Sequence, residues 1–116
     1  MGRRYEKGRR FEYRVKRELE RQGYVVFRCA GSKPVDLIAM KRGGPNLIVE
    51  CKLNGKFSRD DLWKLFFLAE DAGAVPMIAW KEGRLIRLKR LDISEDVERI
   101  KRTRGDSSRQ DQSRID

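Results

Sequence analysis

Two apolar runs joined by a glycine-rich turn constrain this chain more than anything else in it: Val35-Asp36-Leu37-Ile38-Ala39-Met40 and Leu47-Ile48-Val49-Glu50-Cys51-Lys52. Both are short and rich in branched side chains, and Arg42-Gly43-Gly44-Pro45 between them tolerates positive φ, so together they predict an antiparallel β-hairpin. Strand side chains alternate, so Glu50 and Lys52 share one face while Val49 and Cys51 share the other. Closing the hairpin brings Asp36, near the start of one strand, across from residues 50–52 near the end of the next. Charges inside apolar strands break the binary pattern, and such conflicts concentrate at functional or strained sites.

The rest of the chain supplies a frame for that hairpin. Phe11, Val15 and Leu19 recur at helical spacing among Arg, Lys and Glu, predicting a helix over 6–22 stopped by Gly23. Glu12 sits beside the apolar stripe, at the helix edge. Residues 24–29 predict a first strand, and the hairpin strands cover 35–41 and 46–53. Ser58 is the expected N-cap of a second helix reaching Ala72, where Asp60 and Asp61 suit the helix start better than a metal. Residues 75–80 and 85–88 predict two further strands around a Glu82-Gly83 turn, and Ser94 is expected to cap a last helix through Ile100. From Lys101 onward the sequence is polar, and a disordered basic tail is expected over 101–116. At 116 residues this is one α/β domain, 1–100, with a central mixed five-stranded sheet flanked by helices.

Charge narrows the function. Twenty-eight Lys and Arg against 18 Asp and Glu leave a net +10, which calls for a polyanionic partner: nucleic acid first, an anionic membrane second, mere solubility third. No apolar run approaches the roughly 20 residues of a membrane span, and the basic start leads into no signal-peptide core, so a soluble, cytoplasmic protein is expected. Histidine is absent, which removes imidazole bases and His-ligated zinc. Cys29 and Cys51 lie in apolar runs and read as small core residues.

Asp36, Glu50 and Lys52 form the pattern D-x13-E-x-K. Two carboxylates on adjoining strands suit Mg²⁺, which favours hard oxygen ligands, and the Cys51 carbonyl between Glu50 and Lys52 is a further candidate ligand. Lys52 is placed to activate water or offset charge at phosphorus, and Glu12 to hold a second metal or its water. The competing reading is a same-face ion pair on an exposed strand, since the bare pattern is common. Ala30-Gly31-Ser32-Lys33-Pro34, just ahead of Asp36, reads equally as a phosphate-holding loop or a plain connection. In the second helix, Leu62, Leu65, Phe66 and Ala69 form a core stripe, while Trp63, Phe67 and Leu68 make a second apolar face that suggests a homodimer interface or a wide core face.

The run 7–14, the segment 19–28, Gly31-Ser32, residues 35–39 and Ile48-Val49-Glu50-Cys51-Lys52 together resemble, in order and spacing over roughly residues 7–90, the archaeal Holliday junction resolvases of the Hjc type in the PD-(D/E)xK nuclease superfamily. The resemblance implies a restriction-endonuclease-like fold and a homodimeric, Mg²⁺-dependent endodeoxyribonuclease, with Mn²⁺ as a substitute, that binds four-way DNA junctions and cuts opposed strands in pairs during recombination and repair. On that likeness Glu12, Asp36, Glu50 and Lys52 match active-site positions and Ser32 a helper serine in the loop. Arg28 and Lys33 match contacts to the DNA backbone, and Arg9 and Arg10 are assigned with them. Trp63 and Phe67 are the expected dimer contacts. The sequence departs in two places: Val35 separates Pro34 from Asp36, and Asp61 stands where the family commonly has glutamine. Nucleases acting on other DNA structures and a non-catalytic DNA-binding protein of the same fold are the alternatives.

Overall fold

The computed structural model describes residues 2–104, with side chains over 6–99. Helix α1 (Gly2–Arg21) is followed by β1 (Val25–Arg28), a 3-10 turn (Ala30–Ser32), the hairpin β2 (Leu37–Met40) and β3 (Leu47–Cys51), helix α2 (Arg59–Ala72), the hairpin β4 (Val75–Glu82) and β5 (Leu85–Arg90), and helix α3 (Ile93–Arg104). The five strands form one sheet in chain order. Neighbours run antiparallel except β3 and β4, which are parallel because α2 carries the chain back between them. This is the expected mixed five-stranded α/β sheet.

Each face of the sheet has its own core layer. Phe11, Val15 and Leu19 of α1 pack with Val26, Leu37, Ala39, Leu47, Val49 and Ala79. Leu62, Leu65 and Ala69 of α2 and Val97 of α3 pack with Ile48, Ile78 and Val35 on the other face. Val35 and Leu37 would share a face in a regular strand, yet they lie in opposite layers. The chain therefore passes through the sheet plane at Asp36, one residue before β2 begins pairing.

The caps of α2 are as expected. The Asp61 N–H donates to Ser58 Oγ at 3.0 Å and the Ser58 N–H to Asp61 Oδ2 at 3.4 Å, a reciprocal capping box. Gly73 closes the helix with φ 67°, a left-handed conformation that favours glycine. At α3 the expectation fails. Asp92 rather than Ser94 is the cap, accepting the Glu95 N–H at 3.1 Å and the Ser94 hydroxyl at 3.1 Å, because its carboxylate reaches the first turn from one position before Ile93. Helix α3 continues to Arg104, four residues into the expected tail; residues 105–116 lie outside the described part. Among the described residues no helix is long and apolar enough to cross a membrane.

Helix α2 packs mainly over β3 and β4, with Ile38 of β2 at the edge of the same layer. Val25 and Phe27 point away from the α1 layer and remain 60% and 52% exposed, and Met40, paired with Val25 across the strands, is 43% exposed. On α2 itself Phe67 is 57% exposed and stacks on Trp63 with ring centres 5.5 Å apart, with Phe66 edge-on to both. Of the second apolar face expected of this helix, Phe67 is exposed on the same side of the sheet as the bare part of β1–β2, whereas Trp63 and Leu68 are half-buried and pack against the α2-side core, which makes the core face wide.

Candidate active site

Asp36 is the hub of the acidic cluster and one of only two buried polar or charged residues among the described side chains, at 4% exposure. Its Oδ2 accepts the Cys51 N–H at 2.8 Å, which fixes the carboxylate against the end of β3. Glu12 approaches from α1 and Glu50 from the α2 face of β3. The Asp36 charge acts on both: burial first, then Asp36, push the Glu12 carboxyl above its usual range, while Arg28 pulls it back. Glu50 is more strongly affected, pushed up to about 8 by burial, then by Asp36 and Asp61, with Lys52 opposing. Burial, with Asp36, Glu12 and Glu50 adding, likewise raises the Cys51 thiol far up, so this cysteine is inert filling.

Glu50 also carries the clearest sign of an intended ligand. Its Oε1 is buried and hydrogen-bonded to nothing. An orphaned carboxylate oxygen among other carboxylates is costly unless a cation completes it. Among the described residues no three acidic or cysteine side chains converge into a ready-made cage. Mg²⁺ does not need one, since it binds through one or two carboxylates and keeps several waters. The donor set fits that ion.

The other expected site residues divide into those the fold gathers here and those it does not. Lys52 lies close enough to Glu50 to favour its charged form. Arg28 is gathered in as well: its guanidinium holds Glu12 Oε1 at 3.1 and 3.3 Å and lies over the Tyr13 ring at 4.8 Å, so it braces an acid. Ser32 is exposed in the 3-10 turn with φ 57°, and its N–H is held by the Cys29 carbonyl at 3.0 Å. Lys33 beside it is exposed, as is Arg9. Arg10 lines a groove of about 340 Å³ with Lys7, Arg14, Lys81, Phe11 and Leu53, four cations and no acid. Larger hollows of about 540 and 630 Å³ lie between α1 and β5, and neither is lined by Glu12, Asp36 or Glu50.

Asp61 was assigned only to the helix cap, and its charge also raises Glu50. The signal was available in its position at the first turn of the helix following the E-x-K strand. Lys81 and Arg14 carry no signal of their own in the sequence, because only the register of β4 and the packing of α1 bring them into one groove with Arg10.

The comparisons with known proteins agree on one family. The profile described as archaeal Holliday junction resolvase (Hjc) matches residues 3–109. The chain is similar to the crossover junction endodeoxyribonuclease Hjc of Methanocaldococcus jannaschii, at 44% identity over 85 residues, 70% of this chain and 63% of that protein, so the match spans less than two thirds of that relative's length. It is also similar to the structure of Archaeoglobus fulgidus Hjc, a Holliday junction resolvase from an archaeal hyperthermophile, with TM-score 0.63, 30% identity and 72% of each chain covered.

Proposed function

Because the chain belongs to the archaeal Holliday junction resolvase (Hjc) family, we propose that it is a metal-dependent endodeoxyribonuclease that binds four-way DNA junctions and hydrolyses two opposed strands. The observation that carries the reading is the buried, unpartnered Glu50 Oε1 beside Asp36 in a chain of net charge +10. Asp36 and Glu50, with the Cys51 carbonyl, would hold Mg²⁺ or Mn²⁺, and Glu12 stands behind Asp36. When bound, such a cation offsets negative charge developing on the phosphate and makes water more acidic.

The chain's own groups divide the remaining work. The Cys51 N–H orients Asp36 through its 2.8 Å bond, and Arg28 keeps Glu12 aimed at the same place. Lys52 presents an ammonium where the phosphate gains charge as water adds to phosphorus and the P–O bond to the leaving strand breaks. Lys7, Arg10, Arg14 and Lys81 form a backbone-binding groove alongside, which reads shape and charge rather than sequence.

Paired cuts require two sites related by a two-fold axis. The homodimer surface proposed here joins Trp63 and Phe67 of α2 to the bare face of β1–β2, where Val25, Phe27 and Met40 are exposed. A cleavage assay on a synthetic four-way junction and its component duplexes, with and without Mg²⁺, using the natural chain and Asp36→Asn, tests the whole reading. Junction cutting that needs both the metal and Asp36 is expected. Equal cutting of plain duplex would refute the junction claim, and cutting by Asp36→Asn at the natural rate would refute the site.

A further inference from the structure

Past the end of β3 the chain turns at Leu53-Asn54, closed by the Gly55 N–H donating to the Lys52 carbonyl at 2.9 Å. Between this turn, β4 and α3 lies a hollow of about 350 Å³, lined by Asn54, Gly55, Phe57, Trp80, Lys81 and Arg99 together with Ile78 and Glu82. We propose that this hollow takes an unstacked nucleobase of the DNA strand lying over the candidate active site, with Trp80 as its stacking surface. The inference rests on the nuclease reading and adds to it a base-binding subsite.

Register places Trp80 next to the chemistry. Glu50 pairs with Ile78 across the parallel strands, the Lys52 N–H donates to the Ala79 carbonyl at 3.0 Å, and the Lys81 N–H donates to the Leu53 carbonyl at 3.2 Å. Ile48, Ile78 and Trp80 all belong to the α2-side layer. By alternation that is also the face of Glu50 and Lys52, so the indole stands on the neighbouring strand, about 5 Å away in the hydrogen-bonding direction.

The lining has the composition a base requires. An aromatic ring supplies a flat apolar face, Lys81 supplies charge for the attached phosphate, Asn54 supplies an amide, and Arg99 at the rim is held by Asp96 at 2.6 Å. Asn54 Oδ1 already accepts the Lys56 N–H at 2.9 Å, which leaves its NH₂ as the group to offer a base edge. Trp80 is half-buried, packed on one side against the α2-side core while its ring also lines the hollow. Gly55 fixes the ring. With φ 75° it sits so close that an added Cβ would lie 3.3 Å from Trp80 Cδ1 and 3.4 Å from Cγ, so the turn packs directly on the indole rim. At about 350 Å³ the hollow is at the small end of ligand clefts, roughly 300–1,000 Å³, as suits one base rather than a larger ligand.

The test is a thermodynamic cycle of binding measured in the non-cleaving Asp36→Asn protein. Four-way junctions each lacking one base near the branch are titrated with this protein and with the same protein carrying Trp80→Leu. Trp80→Leu is expected to weaken binding to the intact junction by roughly 5- to 150-fold, the range for loss of one base–aromatic stack. At one abasic position the junction should be weakened comparably and Trp80→Leu should cost nothing more, while Trp80→Phe should keep most of the affinity. If Trp80→Leu melts early, Asn54→Ala carries the same cycle, with non-additivity expected at the same position. Affinity changed by less than about twofold in both variants, or losses that add in full at every abasic position, would overturn the subsite. Failure of Asp36→Asn to prefer the junction over duplex would instead overturn the nuclease reading beneath it.

Discussion

Replacing Glu50 with glutamine in the metal-free protein should raise its stability in alkaline solution, although the residue is proposed to be essential for activity. A carboxyl whose folded pKa lies above its unfolded value favours the fold while it keeps its proton, and that advantage is lost as pH rises. For Glu50 the advantage is complete below about 4.5 and declines until the group has ionised in the folded state near about 8. At ~1.4 kcal/mol per tenfold change in proton affinity the upper bound is about 5 kcal/mol. Glu50 retains some access to solvent and Lys52 opposes the shift, so a working figure is on the order of 2 kcal/mol. Urea unfolding with a chelator present, at about pH 5 and about pH 9, measures it. Glu50→Gln should match the natural chain at the lower pH and exceed it by roughly 2 kcal/mol at the higher. Adding Mg²⁺ at the higher pH should stabilise the natural chain and close that gap, because a ligand that binds only the folded state stabilises it. Parallel pH dependence in the two proteins would refute the reasoning, since it would mean that Glu50 is not held protonated by its surroundings.

Asp36→Asn should abolish cleavage by at least about a hundredfold while junction affinity stays equal or rises, since a charge repelling phosphate is removed; gel-shift and cleavage assays on one preparation decide it. The natural chain is expected to sediment as a dimer and Trp63→Glu and Phe67→Glu as monomers, and unchanged sedimentation of both would remove this surface from the interface. Ser58→Ala breaks the capping box and should cost about 1 kcal/mol, lowering the melting temperature by about 5 °C in calorimetry.

Local signals carried the sequence reading furthest. The Phe11, Val15, Leu19 stripe, the Ser58 cap, the Gly73 stop and the β2–β3 hairpin each depend on residues a few positions apart, and all stand as expected. Asp36 and Glu50 come together because one tight hairpin sets their register. The places where the reading fell short depend on contacts between distant segments. Arg28 reaches Glu12 across 16 residues only once β1 docks on α1. Asp61 and Trp80 come near Glu50 and Lys52 through the parallel pairing of β3 and β4, which needs the entire α2 crossover. The Asp92 cap differs from the expected Ser94 for a smaller reason: the two stand two positions apart, and which of them caps depends only on where the helical φ/ψ begins.

The passage of the chain through the sheet at Asp36 has a mechanical consequence. Val35 is locked under α2 and Leu37 under α1, both almost fully buried. A residue pinned between two independent packings has no soft direction in which to turn, because swinging its carboxylate away would prise open one layer or the other. Emptying a site of that kind in a core costs about 2–5 kcal/mol for a leucine, which is ample to hold one side chain still. The domain is too small to surround its acids with a thick polar shell, and it uses its two hydrophobic layers as the jaws of a vice instead.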